Sequence, residues 1–397
     1  MAVPAFRRLW VSQLISEVGD WSARLVLSVV VYARTGSAAT TGLVTTASLV
    51  PWLGPGQLLT SLSERWPRRR VMVVADLARA VAFTVAVTPL PVPVLLGVVF
   101  CAGLATPPFE AARSALRPEI IPAPLFPAAV ALSSITQDLT LTVGYLSGGV
   151  LIALLGDREA LLVNAVSFAV SAVLLAGLPG SAPPRKGAAG VAPLLQGWRA
   201  LRREPVIVRA VLLVTASILA ASSLVAVTAP LVLRVLAAGP ALVGMLVALA
   251  GVVSIGATAA VPTQDDPALL LRWAAAYAAG GGAVLAGCFV VLSVGVASAE
   301  LRGGLVVLAF VAAGFLFAVI APANVVVSPL LPSGIRASAL SLLIGALVAT
   351  EAAGAAAAGA AAAGVGILPV CAVLGVPPLV VGARALLAPA VGGAAHS

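Results

Sequence analysis

Long apolar runs separated by short polar gaps dominate the chain. A membrane-spanning helix needs about 20 consecutive, mostly apolar residues. Twelve runs approach that length, near residues 9–32, 40–62, 71–90, 94–112, 128–154, 160–178, 206–232, 241–262, 270–293, 303–325, 337–361 and 366–388. Each is too long and too continuous to be the ten-residue alternating strand of a membrane barrel, so the pattern predicts helices. Glycine and proline inside the runs do not argue against this, because neighbouring membrane helices satisfy the freed backbone groups. The expected fold class is an all-α membrane protein with twelve transmembrane helices.

The gaps are unequal. The longest runs from Pro179 to Pro205 and carries Pro183-Pro184-Arg185-Lys186 followed by Trp198-Arg199 and Arg202-Arg203. Its start reads as a linker, and its second part as a short interfacial helix with Trp198 at the lipid surface. It divides the chain into a six-span bundle at 1–178, a linker at 179–205 and a second six-span bundle at 206–397. A faint internal echo supports duplication: Ala129-Val-Ala-Leu-Ser133 matches Ala337-Ser-Ala-Leu-Ser341, as parallel repeats do in transporters.

Composition sharpens the class. Of 397 residues, 61% are hydrophobic and 9% charged, whereas a soluble chain is about a quarter charged. The net charge of +9 first suggests nucleic acid, but its placement excludes that partner. The basic residues concentrate in alternate gaps: Arg7 and Arg8, the Arg65–Arg70 loop, Arg113 and Arg117, and the Arg185–Arg209 stretch. The intervening gaps hold Arg34, Arg158, Arg234 and Arg302. This is the positive-inside pattern, and it predicts both termini in the cytoplasm. Lys186 is the lone lysine. That bias suggests a GC-rich bacterial genome, hence a bacterial plasma membrane.

Other chemistries find no support. Cys101, Cys288 and Cys371 lie far apart in apolar runs, without metal or redox spacing. The single histidine, His396, is next to the last residue. No phosphate-binding loop ending in Gly-Lys-Ser/Thr is present. An enzyme, a resident cofactor or metal, and a self-contained ATP-driven pump are therefore not expected.

Several segments resemble the major facilitator superfamily, closest to its bacterial drug, macrolide and siderophore exporter-like branch. The opening Phe6-Arg-Arg-Leu-Trp-Val-Ser-Gln13 with Gly19-Asp20-Trp21 looks like that branch's first helix. After the second run, Thr60-Ser-Leu62-Ser-Glu64-Arg65-Trp-Pro67-Arg68-Arg69 resembles the superfamily pattern Gly-x-Leu-Ala-Asp-Arg-x-Gly-Arg-Arg, with Glu64 for the acid and Thr60 and Pro67 for glycines. The resemblance implies a cytoplasmic charge latch of Glu64, Arg65, Arg68 and Arg69. Asp76, Arg79, Glu110 and Arg113 are read as one charge cluster with it. Simple anchoring by four arginines is the competing reading. In the fifth run, Gly144-Tyr145-Leu-Ser-Gly148-Gly149 is similar to the antiporter motif Gly-Pro-x-x-Gly-Gly. There Gly144, Gly148 and Gly149 would admit a close neighbouring helix, and ordinary small-residue packing explains them equally. The resemblance implies two pseudo-symmetric six-helix bundles, the major facilitator fold, working by alternating access.

Polar groups inside the runs mark the candidate chemistry, since a charge at a membrane helix centre costs about 2.5–3.5 kcal/mol. Gln13, Glu17, Asp20 and Arg24 are spaced four, three and four apart, which places them on one helix face. Asp20 and Arg24 are spaced to pair, leaving Glu17 as the spare carboxylate for proton exchange or substrate. Asp138 and Glu351 are further cavity candidates in the fifth and eleventh runs.

These features lead to proton-coupled efflux of an amphipathic small molecule by a monomer in a lipid bilayer. Uptake of a nutrient, and a non-transporting scaffold or decayed transporter, remain open alternatives.

Overall fold

The computed structural model describes residues 4–63, 65–178, 204–262, 266–295, 298–331 and 336–388. Among these residues the structure is helical throughout, with no strand. The expected linker lies almost entirely outside the described residues, as does Glu64.

The first helix, α1 (Pro4–Thr35), is about 48 Å long at 1.5 Å per residue, longer than the ~30 Å hydrocarbon layer. It stops at Gly36, whose φ of +60° is a left-handed conformation natural to glycine after a helix end. Ser37 then caps α2 (Ala38–Leu49), its hydroxyl accepting from the Thr40 N–H. The second expected run is not one continuous helix. It breaks at a tight turn over Val50–Leu53 and resumes as α3 (Pro55–Ser63). Pro51 and Pro55 lack the amide hydrogen that a continuous helix would use there.

Next come α4 (Arg68–Ala86) and α5 (Val92–Leu104), each preceded by a proline, and α6 (Thr106–Ile120). The fourth run bends at Ala105, where Pro107 and Pro108 begin α6, a position that tolerates their missing donors. Then follow α7 (Phe126–Leu154) and α8 (Asp157–Ala176). Beyond the long gap lie α9 (Pro205–Ala226), α10 (Pro240–Ala259), α11 (Pro267–Ser293), α12 (Ala299–Ala318), α13 (Ile320–Leu330), α14 (Arg336–Val365), α15 (Ile367–Leu374) and α16 (Val376–Leu387). Every one of the twelve expected runs thus has its helical counterpart, several of them bent or split.

Among the described residues, eight stretches are long and apolar enough to cross a membrane by length and composition alone. The α1 and α4 helices fall outside that group because of the charges they carry and the second run because it is broken, while the fifth run contributes the shorter apolar stretch Leu139–Leu154. Large side chains lie open on the outer surface, among them Leu58, Val81 and Val173. Each would gain about 1.5–3 kcal/mol on leaving water. Lipid, not water, is the solvent this surface fits, and the chain is a multi-pass membrane protein.

The residues form two compact units, Met1–Gly187 with Thr228–Ala248, and Ala188–Val227 with Leu249–Ser397. In the first, α8 packs along both α1 and α4, and α7 packs along α1. One cluster in its core joins Leu9, Met72, Phe109, Leu116 and Leu175. In the second, α11 packs on α12, α15 and α16, while α9 packs on α14. Ile207, Leu213, Leu270 and Val326 are part of its core.

Candidate functional site

Five helices of the first unit bring polar side chains together. On α1, Glu17 and Asp20 stand three residues apart, a rise of about 4.5 Å on one face. The α4 and α6 helices each carry an acid followed three residues later by arginine: Asp76 with Arg79, and Glu110 with Arg113. Each arginine binds the acid of its own helix and reaches across to one acid of α1.

In one triad, Arg79 binds Asp76 through Nη2 and Asp20 through Nη1, the latter at 3.0 Å. The Ser171 hydroxyl, from α8, donates to the other Asp76 oxygen at 2.6 Å. The Arg79 guanidinium also lies 4.6 Å from the ring centres of both Phe109 and Phe168, favourable cation–π distances. In the other triad, Arg113 binds Glu17 at 2.6 Å and Glu110 with its second terminal nitrogen. The Thr140 hydroxyl, from α7, donates to the free oxygen of Glu17 at 2.9 Å. Arg117 approaches the Gln13 carbonyl at the long distance of 3.4 Å.

Burial separates the roles available to these groups. The side chains of Arg79, Arg113 and Asp76 are at most 3% exposed, so they are enclosed in protein. Glu17, Asp20 and Glu110 retain 16%, 27% and 26% exposure. These three are the more exposed of the four carboxylates. The paired guanidiniums also explain how so many charges are held inside spans, since ionic groups there need partners.

The sequence expectations map onto this arrangement unevenly. Gln13, Glu17 and Asp20 join Asp76, Arg79, Glu110 and Arg113 in one connected region, although the sequence separated them into a cavity face and a cytoplasmic cluster. Asp20 pairs with Arg79, while Arg24 stacks over the Trp21 ring at 4.5 Å; Glu17 is engaged rather than spare. The side chain of Asp138 lies outside the described residues. Glu351 is half-buried on α14, in the second unit.

The arginines that open α4, with Arg8 of α1, act at helix ends. Arg68 binds Glu119 and donates to the Ala115 carbonyl at 2.7 Å. Arg69 donates to the Leu178 carbonyl at 2.7 Å, and Arg8 to that of Gly177. Cations suit the carbonyl-rich ends of α6 and α8. Arg65 is exposed.

The three glycines of α7 sit at close helix crossings. A Cβ at Gly144 would lie 2.9 Å from the Val18 carbonyl oxygen, and one at Gly148 would lie 2.8 Å from that of Ser22. One at Gly149 would lie 3.1 Å from the Gly244 Cα on α10. The missing side chains of Gly144 and Gly148 let α7 lie against α1, which delivers Thr140, one turn before Gly144, to Glu17. Thr140, Ser171 and Phe168 escaped the sequence reading, because a hydroxyl or ring in an apolar helix carries no signal of its own. The repeated acid-x-x-Arg on α4 and α6 was the detectable signal.

In the second unit, α9, α13 and α14 line a pocket with Val214, Thr215, Asn324, Val327, Leu343 and Leu347. It is apolar apart from Thr215 and Asn324. Among the described residues no cluster of His, Cys, Asp and Glu has the makings of a metal site.

Comparison with known proteins gives the context of this site. Residues 1–391 match the model of a family described as transmembrane secretion effector. An uncharacterized MFS-type transporter of Bacillus subtilis, YfiS, is 29% identical over 228 residues, covering 53% of this chain and 54% of its own. The match thus spans about half the length of that relative. Among solved structures, a bacterial homolog of the human lysosomal transporter Spinster superposes with a TM-score of 0.77 at 13% identity, over 98% of this chain and 97% of its own. The nucleoside transporter NupG gives 0.71 at 13% identity over 96% and 98%. The human organic anion transporter MFSD10 gives 0.64 at 17% identity over 96% and 100%. At these identities the likeness is one of fold. The family match across almost the whole chain, carried on a fold shared with those transporters, places this chain in the major facilitator superfamily, as a member of its transmembrane secretion effector family.

Proposed function

We propose that the chain is a proton-coupled exporter of an amphipathic small molecule, working by alternating access as a monomer in a bacterial plasma membrane with both termini in the cytoplasm. The observation that carries this reading is the charge balance of the buried network. Four carboxylates, Glu17, Asp20, Asp76 and Glu110, face two guanidiniums, Arg79 and Arg113, with Arg24 and Arg117 at the margins. The four carboxylates outnumber the two guanidiniums that ion-pair with them, while Arg24 and Arg117 balance the total only from the margin, one over Trp21 and the other toward Gln13. A carboxylate held in this way in a low-dielectric span is a favourable place for a proton, the cation that needs no added space. Glu17, Asp20 and Glu110 are the accessible members, so they are the groups assigned to carry it.

A solute and a proton that compete for the same arginine-held carboxylates are exchanged, not moved together. Displacement of Glu17 from Arg113 by protonation would free that guanidinium and loosen α6 from α1. The apolar pocket of the second unit, with Thr215 and Asn324 as its polar groups, supports a substrate with a large apolar body. Outward direction is supported by the family's description as a secretion effector and by the glycines of α7, which resemble the antiporter motif. Arg65, Arg68 and Arg69, with Glu64, are assigned to a latch between helix ends.

The test is reconstitution of the full chain into liposomes with an imposed pH gradient and a panel of amphipathic cations, neutral macrolide-like compounds and siderophores. Gradient-driven movement of at least one class, with protons moving oppositely, is the expected result. Folded protein that moves none of the panel, or that carries solute and protons in the same direction, refutes export. The latter outcome would establish uptake instead.

A further inference from the structure

A second site lies on the outer surface of the first unit, away from the buried network. A cleft of about 410 Å³ opens where the amino-terminal end of α4 meets the carboxy-terminal end of α8, lined by Trp66, Arg69, Arg70, Val73, Val74 and Ala176. We infer that this cleft binds an anionic phospholipid, with its phosphate on Arg70 and Arg69 and an acyl chain on the apolar floor.

Three observations carry the inference. The first is charge. Arg69 commits one terminal nitrogen to the Leu178 carbonyl and keeps its other donors. Arg70 is exposed, and its side chain makes no hydrogen bond or ion pair among the described residues. The nearby Glu119 is already occupied by Arg68. Guanidinium donors match phosphate oxygens in geometry and charge. The second is the ring. Trp66 is 53% exposed at the lip of the cleft, the placement that an indole takes at the headgroup level of a bilayer.

The third is the continuation of the floor. Below Val74, α4 exposes Leu77, Val81 and Val85 at helical spacing, and below Ala176, α8 exposes Val173, Val170 and Val166. From Val74 to Val85 this stripe runs about 16 Å along the helix. A soluble anion would use the arginines but not the valines. A zwitterionic lipid would use the valines and could set its phosphate on Arg70, but its own ammonium offsets that attraction. A diacyl lipid with a net negative headgroup uses both, and a basic pocket at the ends of membrane helices is the recognised setting for such headgroups.

The test is native mass spectrometry of the full chain released from detergent after equilibration with equal phosphatidylglycerol and phosphatidylcholine of identical acyl chains. The wild type is expected to retain phosphatidylglycerol in preference. Arg70→Gln should lower that preference about fivefold, the effect of about one basic residue at an anionic surface, and Arg70→Lys should keep most of it. Because Arg70 holds no other group, the melting temperature of Arg70→Gln should equal that of wild type. Arg158→Gln, exposed at the opposite end of α8, controls for net charge and should leave the preference unchanged. Equal retention of the two lipids by wild type, an undiminished preference in Arg70→Gln, or an equal loss in Arg158→Gln would each overturn the assignment.

Discussion

Replacing Arg79 with methionine isolates what the buried network contributes. The substitution keeps an unbranched apolar stem but removes the guanidinium, and leaves Asp76, whose side chain has no exposure, with the Ser171 hydroxyl as its remaining partner. Removing one member of a buried ion pair costs about 3–5 kcal/mol, because the other charge stays behind without compensation. Loss of the contacts to the Phe109 and Phe168 rings adds about 0.5–2 kcal/mol. Arg79→Met is therefore expected to destabilise the folded chain by at least about 3 kcal/mol. Neutralising the stranded acid should return part of that loss. The double variant Arg79→Met/Asp76→Asn should lie about 1.5–3 kcal/mol above the sum of the two single effects. Unfolding in a mild detergent, followed by tryptophan fluorescence across the four variants of the cycle, reads both numbers. A single-variant cost below about 1 kcal/mol, the value of a solvent-exposed pair, would refute the reasoning, and so would strict additivity.

Two further substitutions probe the surroundings of the network. Gly148→Ala sets a methyl 2.8 Å from the Ser22 carbonyl oxygen, a backbone atom that cannot turn aside, so α7 must move off α1. A thermal melt should show a loss of about 1–3 kcal/mol, whereas Gly97→Ala on α5, with nothing within 4 Å of the new methyl, should gain about 0.5–1 kcal/mol. The reverse order would show that the α1–α7 crossing is not tight. Glu119→Gln removes the partner of Arg68 at a half-exposed position, and solvent screening limits its cost to less than about 1 kcal/mol. The same comparison in 1 M salt should reduce that difference toward zero, and a cost that persists there would mark the pair as buried.

Much of this architecture is written in the apolar runs. Where a run is apolar on all sides, as in α11 or α12, length alone locates the helix. The breaks needed closer reading: Pro51, Gly54 and Pro55 divide the second run, and Pro107 and Pro108 bend the fourth, through the missing proline donors. The site was partly legible. Glu17 and Asp20 could be placed on one face of α1 from their spacing, and the acid-x-x-Arg pairs of α4 and α6 from theirs. Their meeting could not, since spacing within a helix says nothing about which helix lies opposite. Local proximity suggested Arg24 for Asp20, and packing supplied Arg79 instead. Thr140 and Ser171 were hidden because hydroxyls in membrane helices usually bond their own backbone, as Thr136 does with the Leu132 carbonyl.

The coupling role assigned to Glu17 is the centre of the functional account, and Glu17→Gln tests it directly. In proteoliposomes, counterflow of labelled against unlabelled substrate needs binding and alternating access but no proton movement, whereas accumulation driven by a pH gradient needs all three. Glutamine keeps an oxygen for Arg113 and turns an N–H toward the Thr140 hydroxyl oxygen, but cannot cycle a proton. Preserved counterflow with loss of gradient-driven accumulation is the expected result; gradient-driven accumulation at the wild-type level would contradict the account.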